Sequence, residues 1–196
     1  MRVNTVKALA LMCVIMMLAA CGGIRYSRVS DDIKDFHPAS IGVLPVDEGA
    51  YVEATDVADG IIAGVLQEKA WFPTVVPPDK IRAEMIARSD VQDMIVSYLD
   101  KLDKLNFSDP ELSKKIGIVY GIDVFLVAGV DSWTYTTAEG DKVARVGLSM
   151  ILVQAETGMI VWRAGHHTIK DYWFIKPDLQ DLARTVVGEM LDEMPH

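Results

Sequence analysis

Side chains able to coordinate a metal or act as nucleophile and base are few in this 196-residue chain: four histidines, two cysteines, and hydroxyls that sit beside carboxylates. His166 and His167 are adjacent, so on a strand they point to opposite faces and cannot hold one ion together. His37 and His196 lie near the ends of the chain at no ligand spacing, and no H-E-x-x-H run occurs. Asp131-Ser132 invites a Ser-His-Asp arrangement with His166 or His167, but the G-x-S-x-G elbow that would present such a serine is missing. Gly60, Gly64, Gly117, Gly121 and Gly129 form neither a P-loop nor a G-x-G-x-x-G turn. The expectation is no catalytic set, no metal site and no cofactor, with the paired histidines serving structure or surface.

Cys21 has a different context. Arg2 and Lys7 precede an apolar run from Ala8 to Ala20, which closes on Ala19 and Ala20. A positive n-region, an apolar stretch and small residues at the cut are the layout of a secretory signal peptide. The run is 13 residues long, whereas crossing ~30 Å of hydrocarbon takes about 20 residues. Residues 1–20 therefore read as a cleaved signal rather than a spanning helix. Leu18-Ala19-Ala20-Cys21 resembles the lipobox of bacterial lipoproteins. The resemblance implies that Cys21 becomes the first mature residue, carrying a thioether-linked diacylglycerol and an amide-linked acyl chain. One acyl chain anchors marginally and two or more hold stably. Gly22 rather than Asp at the next position implies, by the enterobacterial sorting rule, an outer-membrane address facing the periplasm. Cys13 leaves with the signal, so no thiol remains for a disulfide, a metal or a nucleophile.

Without residues 1–20 the chain loses Arg2 and Lys7 and keeps 17 basic against 28 acidic residues, a net charge of −11. Nucleic acid needs a basic footprint and is excluded as a partner. Anionic head groups would repel the domain unless a lipid held it there. Envelope proteins are the expected partners. Residues 39–196 have the length and apolar content of one globular domain with a sizeable core, and no internal repeat. Residues 21–38 are polar, with Asp31, Asp32 and Asp35, and read as the lipidated cysteine and a flexible tether. Seventeen such residues would hold the domain roughly 20–25 Å from the anchor on average.

Within the domain, Ser40 to Val46 reads as a buried strand. Val57, Ile61, Ile62, Val65 and Leu66 follow at helical spacing, with Thr55 or Asp56 as cap. Pro73 to Pro78 brackets a second short strand with prolines. Three helices follow. The first has Ile81, Met85 and Ile86 on one face. The second opens on a capping box of Ser89 and Gln92, and the third on one of Ser108 and Glu111. The break between the last two falls at Asn106 and Phe107, and Gly121 is the final stop. Asp123 to Val130 has the continuous apolar character of a strand buried on both faces. A long strand through Val146 and Leu152 turns at Ala155 to Gly158 into Met159 to Ile169, an antiparallel hairpin. Asp178 then caps a last helix. The order β-α-β-α-α-α-β-β-β-α predicts an α+β, three-layer α/β-like domain, a mixed sheet with helices packed on it.

Trp133 and Tyr135 fall just after one strand, and Tyr172, Trp173 and Phe174 just after another, in loops that can meet at one end of the sheet. They either lid the core or form a partner-contact patch, since Trp and Tyr dominate interface hot spots.

The runs "IGVLPV", "PTVVPPDKI", "GIDVFLVAGV" and "VQAETGMIVW" are similar in order and spacing to envelope lipoproteins with a domain like that of CsgG, LpoB and PelC and like the N-terminal domain of TolB. Within that group they resemble a family of bacterial lipoproteins of unknown function known from Neisseria. The resemblance covers Ser40 to Trp162. It implies a non-catalytic subunit or accessory factor of an envelope assembly, export or transport system, with self-association into dimers or rings. A membrane-inserting hairpin of the CsgG type is not apparent, which argues against a pore. The alternative expectation is a small-ligand-binding or hydrolytic periplasmic domain with a pocket near Asp131, Trp133 and His166.

Overall fold

The computed structural model describes residues 25–31, 33, 36–46, 51–138 and 140–196. The expected signal peptide, residues 1–20, and Cys21 lie outside the described residues. The elements are β1 (Tyr26–Val29), β2 (Ser40–Val43), α1 (Val52–Lys69), β3 (Thr74–Val76), α2 (Pro78–Ala87), α3 (Ser89–Leu105), α4 (Pro110–Tyr120), β4 (Val124–Ala138), β5 (Asp141–Gln154), β6 (Ile160–Asp171) and α5 (Leu179–Asp192). One six-stranded sheet runs β1-β6-β5-β4-β2-β3. β2 is parallel to both β3 and β4, and the remaining pairs are antiparallel. The expected mixed α+β architecture is thus present, with one more strand at its start.

Strand alternation assigns the two faces. Val146, Leu148, Met150 and Leu152 of β5 join a core with α1 and α5. Phe125 of β4 and Val153 of β5 turn the other way, into a second core with α2, α3 and α4. The result is a helix–sheet–helix sandwich. At the start of β4, the Asp123 carboxylate accepts from the Ala39 and Ser40 backbone N–H groups at 2.8 and 3.0 Å and from Ser40 Oγ at 2.9 Å. This side chain fixes the parallel register of β2 and β4.

The helix stops are where the sequence puts them: Asn106 and Gly121 are both left-handed, at φ 50° and 63°. The starts differ. α4 is capped by Asp109, whose carboxylate accepts from Glu111 N and Leu112 N, while Ser108 Oγ is held by the Tyr98 hydroxyl at 2.8 Å. Ser89 is the first helical residue of α3 rather than its cap, and Arg88 before it pairs with Asp90 and Glu84. Ile86 is exposed although Ile81 of the same helix is buried, because five residues turn a helix through about 140° beyond a full turn.

Two further differences bear on function. Trp133 and Tyr135 do not lie in a loop: β4 continues through them to Ala138, past a bulge between Val130 and Ser132. Part of the segment read as tether is a strand, because β1 pairs with β6 from Tyr26 opposite Gly165 to Val29 opposite Trp162. Trp162 Nε1 donates to Ser27 Oγ at 2.9 Å, and the Tyr26 ring lies on Gly165, where a Cβ would collide with it. The glycine is therefore a seat for the aromatic ring. Gly165→Val should displace that ring and loosen β1 alone. The expected result is hydrogen exchange at least tenfold faster at residues 26–29, with global stability changed by less than about 2 kcal/mol.

Candidate functional site: an aromatic loop at one end of the sheet

β6 ends at Asp171, and residues 172–178 carry the chain to α5. This segment is pinned from behind. Tyr172 N donates to Lys142 O at 3.0 Å, and the Tyr135 hydroxyl donates to Pro177 O at 2.7 Å. The Tyr135 and Tyr172 rings meet edge to face at 5.9 Å, and Lys176 Nζ lies 4.6 Å from the centre of the Tyr135 ring. Edge-to-face and cation–π contacts of this kind each add about 0.5–1 kcal/mol beyond burial.

The five sequence-selected aromatics therefore divide. Trp133 is buried in the α1 and α5 core. Tyr135 and Tyr172 brace the loop. Trp173 and Phe174 point outward, 80% and 96% exposed, and Ile175 joins them at 86%. Ile175, being aliphatic, is not among the sequence-selected residues. The available signal was three successive apolar residues, with no helical or strand period, between Tyr172 and Pro177.

His166 and His167 do face opposite ways. His166 is buried against α5, with Nε2 2.7 Å from Glu189 Oε2. His167 lies on the other face with Arg145, Arg25 and Asp131 in its electrostatic surroundings. Asp131 accepts from Ser149 Oγ at 3.1 Å on that same face. Trp133 and His166 belong to one side of the sheet and Asp131 to the other, so these three do not converge on one pocket. Among the described residues no group of three or more His, Cys, Asp or Glu stands at metal-binding geometry. No helix among them is long and apolar enough to cross a membrane. A cleft of about 490 Å³ opens between α3 and the sheet, with Leu99 and Ile151 in its wall and Arg163 and Asp103 among its polar groups.

No protein-family model matches the chain, and neither does any curated protein sequence. Its fold does have solved counterparts, and they define it as a PelC-like mixed α+β domain. The PelC dodecamer from Paraburkholderia phytofirmans superposes with a TM-score of 0.53 at 14% identity, over 87% of this chain and 99% of that one. A point variant of the same PelC dodecamer gives 0.53 at 15%, over 86% and 96%. Lipoprotein GNA1162 from Neisseria meningitidis gives 0.47 at 18%, over 80% and 100%.

Burial, the Arg145 and Arg25 guanidinium groups and His166 hold the His167 imidazole below the ordinary histidine value, with Asp131 opposing them. The unfolded chain then binds a proton at His167 more readily than the folded one. Stability from this group is present above about pH 6.5 and falls as pH drops through the unfolded value towards the lower folded one. His167→Gln should flatten that part of the profile, read as a smaller difference between urea midpoints at pH 7.5 and pH 5.5.

Proposed function

We propose that the protein is a lipid-anchored envelope lipoprotein, held by acyl chains on Cys21 at the periplasmic face of the outer membrane after removal of residues 1–20. It works through contacts with envelope proteins and with copies of itself, as a subunit or accessory factor of an assembly, export or transport system, and not as an enzyme. The observation that carries this reading is the place where the chain joins the sheet. β1 begins five residues after Cys21 and is fastened to β6 by a ladder, a ring seat and a Trp–Ser hydrogen bond. A lipid on Cys21 therefore sits on a short lead from a folded edge.

Two further observations support action by contact. PelC, whose fold this chain shares, is a dodecamer, and a subunit of this kind needs lateral surface. Here α4 exposes Ile118 and Val119, beside a shallow depression shared with α3 that reaches Met94 and Leu112. Apolar groups grouped on a helical surface suit a protein interface better than open solvent. The outer edge of the sheet is a poor alternative, because β3 has three residues set between Pro73 and Pro77.

Cys21→Ser should abolish lipid labelling and release the protein from membranes, whereas the parent should fractionate with them. For the soluble form beginning at Ile24, light scattering behind size-exclusion chromatography should show a discrete oligomer that grows with concentration. A monomer throughout the range, together with no envelope protein cross-linked in cells, would remove the assembly reading.

A further inference from the structure

We propose that Trp173, Phe174 and Ile175 form a second membrane contact, entering the interfacial layer of the same bilayer that holds the lipid on Cys21. The proposal rests on the reading that Cys21 is lipidated, and it names the surface that the exposed loop meets.

Three features of the loop point to a lipid surface. First, its apolar side chains are consecutive and almost fully exposed, while the backbone behind them is held by Lys142, Tyr135 and Tyr172. The loop is thus a braced apolar tip and not a slack segment. Secondly, its composition is interfacial. Trp173 is an amphipathic ring suited to head-group depth, and Lys170 beside the tip is exposed, with a stem long enough for its ammonium group to meet head-group phosphate. Thirdly, the chain without residues 1–20 carries a net charge of −11, so a contact between the tip and the bilayer would draw on apolar insertion rather than on attraction to anionic head groups.

Direction supplies the argument for this occupant over another. β1 runs antiparallel to β6, with Tyr26 opposite Gly165 and Val29 opposite Trp162. The chain before Tyr26 therefore leaves β1 on the side towards which β6 runs to Asp171 and the loop. Tyr26 is the fifth residue after Cys21, and five steps of chain extend at most about 17 Å. That is the length of β6 from Gly165 to Lys170 at ~3.4 Å per residue. The entry into β1 and the apolar tip thus belong to one end of the sheet, and a lead of this length would let a lipid on Cys21 and the tip reach one membrane plane.

The test uses the full-length protein, purified from membranes and reconstituted into phosphatidylethanolamine–phosphatidylglycerol vesicles with plain or brominated acyl chains. Flotation and the mass of the N-terminal peptide report the lipid on Cys21, and bromine quenching of tryptophan emission reports the loop. The expected result is quenching in the parent protein that falls at least threefold in Trp173→Phe, with Trp71, Trp133 and Trp162 unchanged in both. Phe174→Ser with Ile175→Ser, two exposed positions that leave the core intact, should also reduce it. A protein that floats and carries the lipid but shows no quenching, or quenching indifferent to Trp173→Phe, would overturn the proposal and leave the anchor standing. A chain without lipid mass that stays in solution would remove the anchor and the proposal together. A blue shift of Trp173 that grows with protein concentration in the absence of vesicles would assign the tip to another copy and overturn the membrane contact.

Discussion

The three-strand ladder of β4, β5 and β6 extends farther than the helices available to cover it, and the exposed aromatic end of the molecule follows from that mismatch. These strands have 15, 14 and 12 residues, against four in β2 and three in β3. Near β2 both faces are packed, and Val124, Phe125 and Leu126 are buried in succession, as expected for a strand covered on both sides. Farther along, α5 still covers one face, but the other carries the small or polar residues Gly129, Ser149, Gly147, Arg163 and His167, several of them half-exposed. Gly147 is kept bare by its neighbours, because a Cβ there would meet Ser132 Oγ and the His167 Cβ. The turn from β6 into α5 has to be made at this projecting end, and it is where Trp173, Phe174 and Ile175 emerge.

The parts of this architecture legible in the sequence are those set by local interactions. The apolar run before Val130, the turn at Ala155 to Gly158 and the left-handed stops at Asn106 and Gly121 depend on residues within a few positions of one another. The starts of α3, α4 and α5 are legible to within a residue, whereas α1 begins at Val52 and takes the expected caps Thr55 and Asp56 into its first turns; at α4 the reason for the offset is tertiary. The Tyr98 hydroxyl, fixed in the core, draws Ser108 away from the position where it would cap α4, and Asp109 takes its place. β1 was not legible, since Tyr-Ser-Arg-Val has little burial of its own. Its conformation is imposed by the free edge of β6, more than 130 residues away along the chain.

The candidate site divides in the same way. Residue type identified the aromatics, and topology brought Tyr135 and Tyr172 together as expected for two strand ends at one side of a sheet. Which of the five would be exposed could not be read, because that depends on a bulge. The irregularity between Val130 and Ser132 resets the alternation of β4, so that Trp133 faces the core. Without that extra residue the period-two pattern would place it on the opposite face. Trp173 and Phe174 lie beyond the last ladder pair of β6, at Asp171, where no alternation applies.

The docking of β1 also changes what a lipid on Cys21 would mean mechanically. A 17-residue flexible lead would let the domain range up to about 60 Å from the bilayer and meet partners deep in the periplasm. With a lipid on Cys21, a lead of five residues ending in a strand held at Tyr26 by Gly165 and at Ser27 by Trp162 would confine the domain to the membrane surface and restrict its rotation about the anchor. Copies held at one height in one orientation lose less rotational and translational freedom on association than copies tumbling in solution. Weak lateral contacts, such as those available to the apolar groups on α3 and α4, would then suffice to build an assembly in the membrane plane. A short lead would thus strengthen self-association without adding a single contact between subunits.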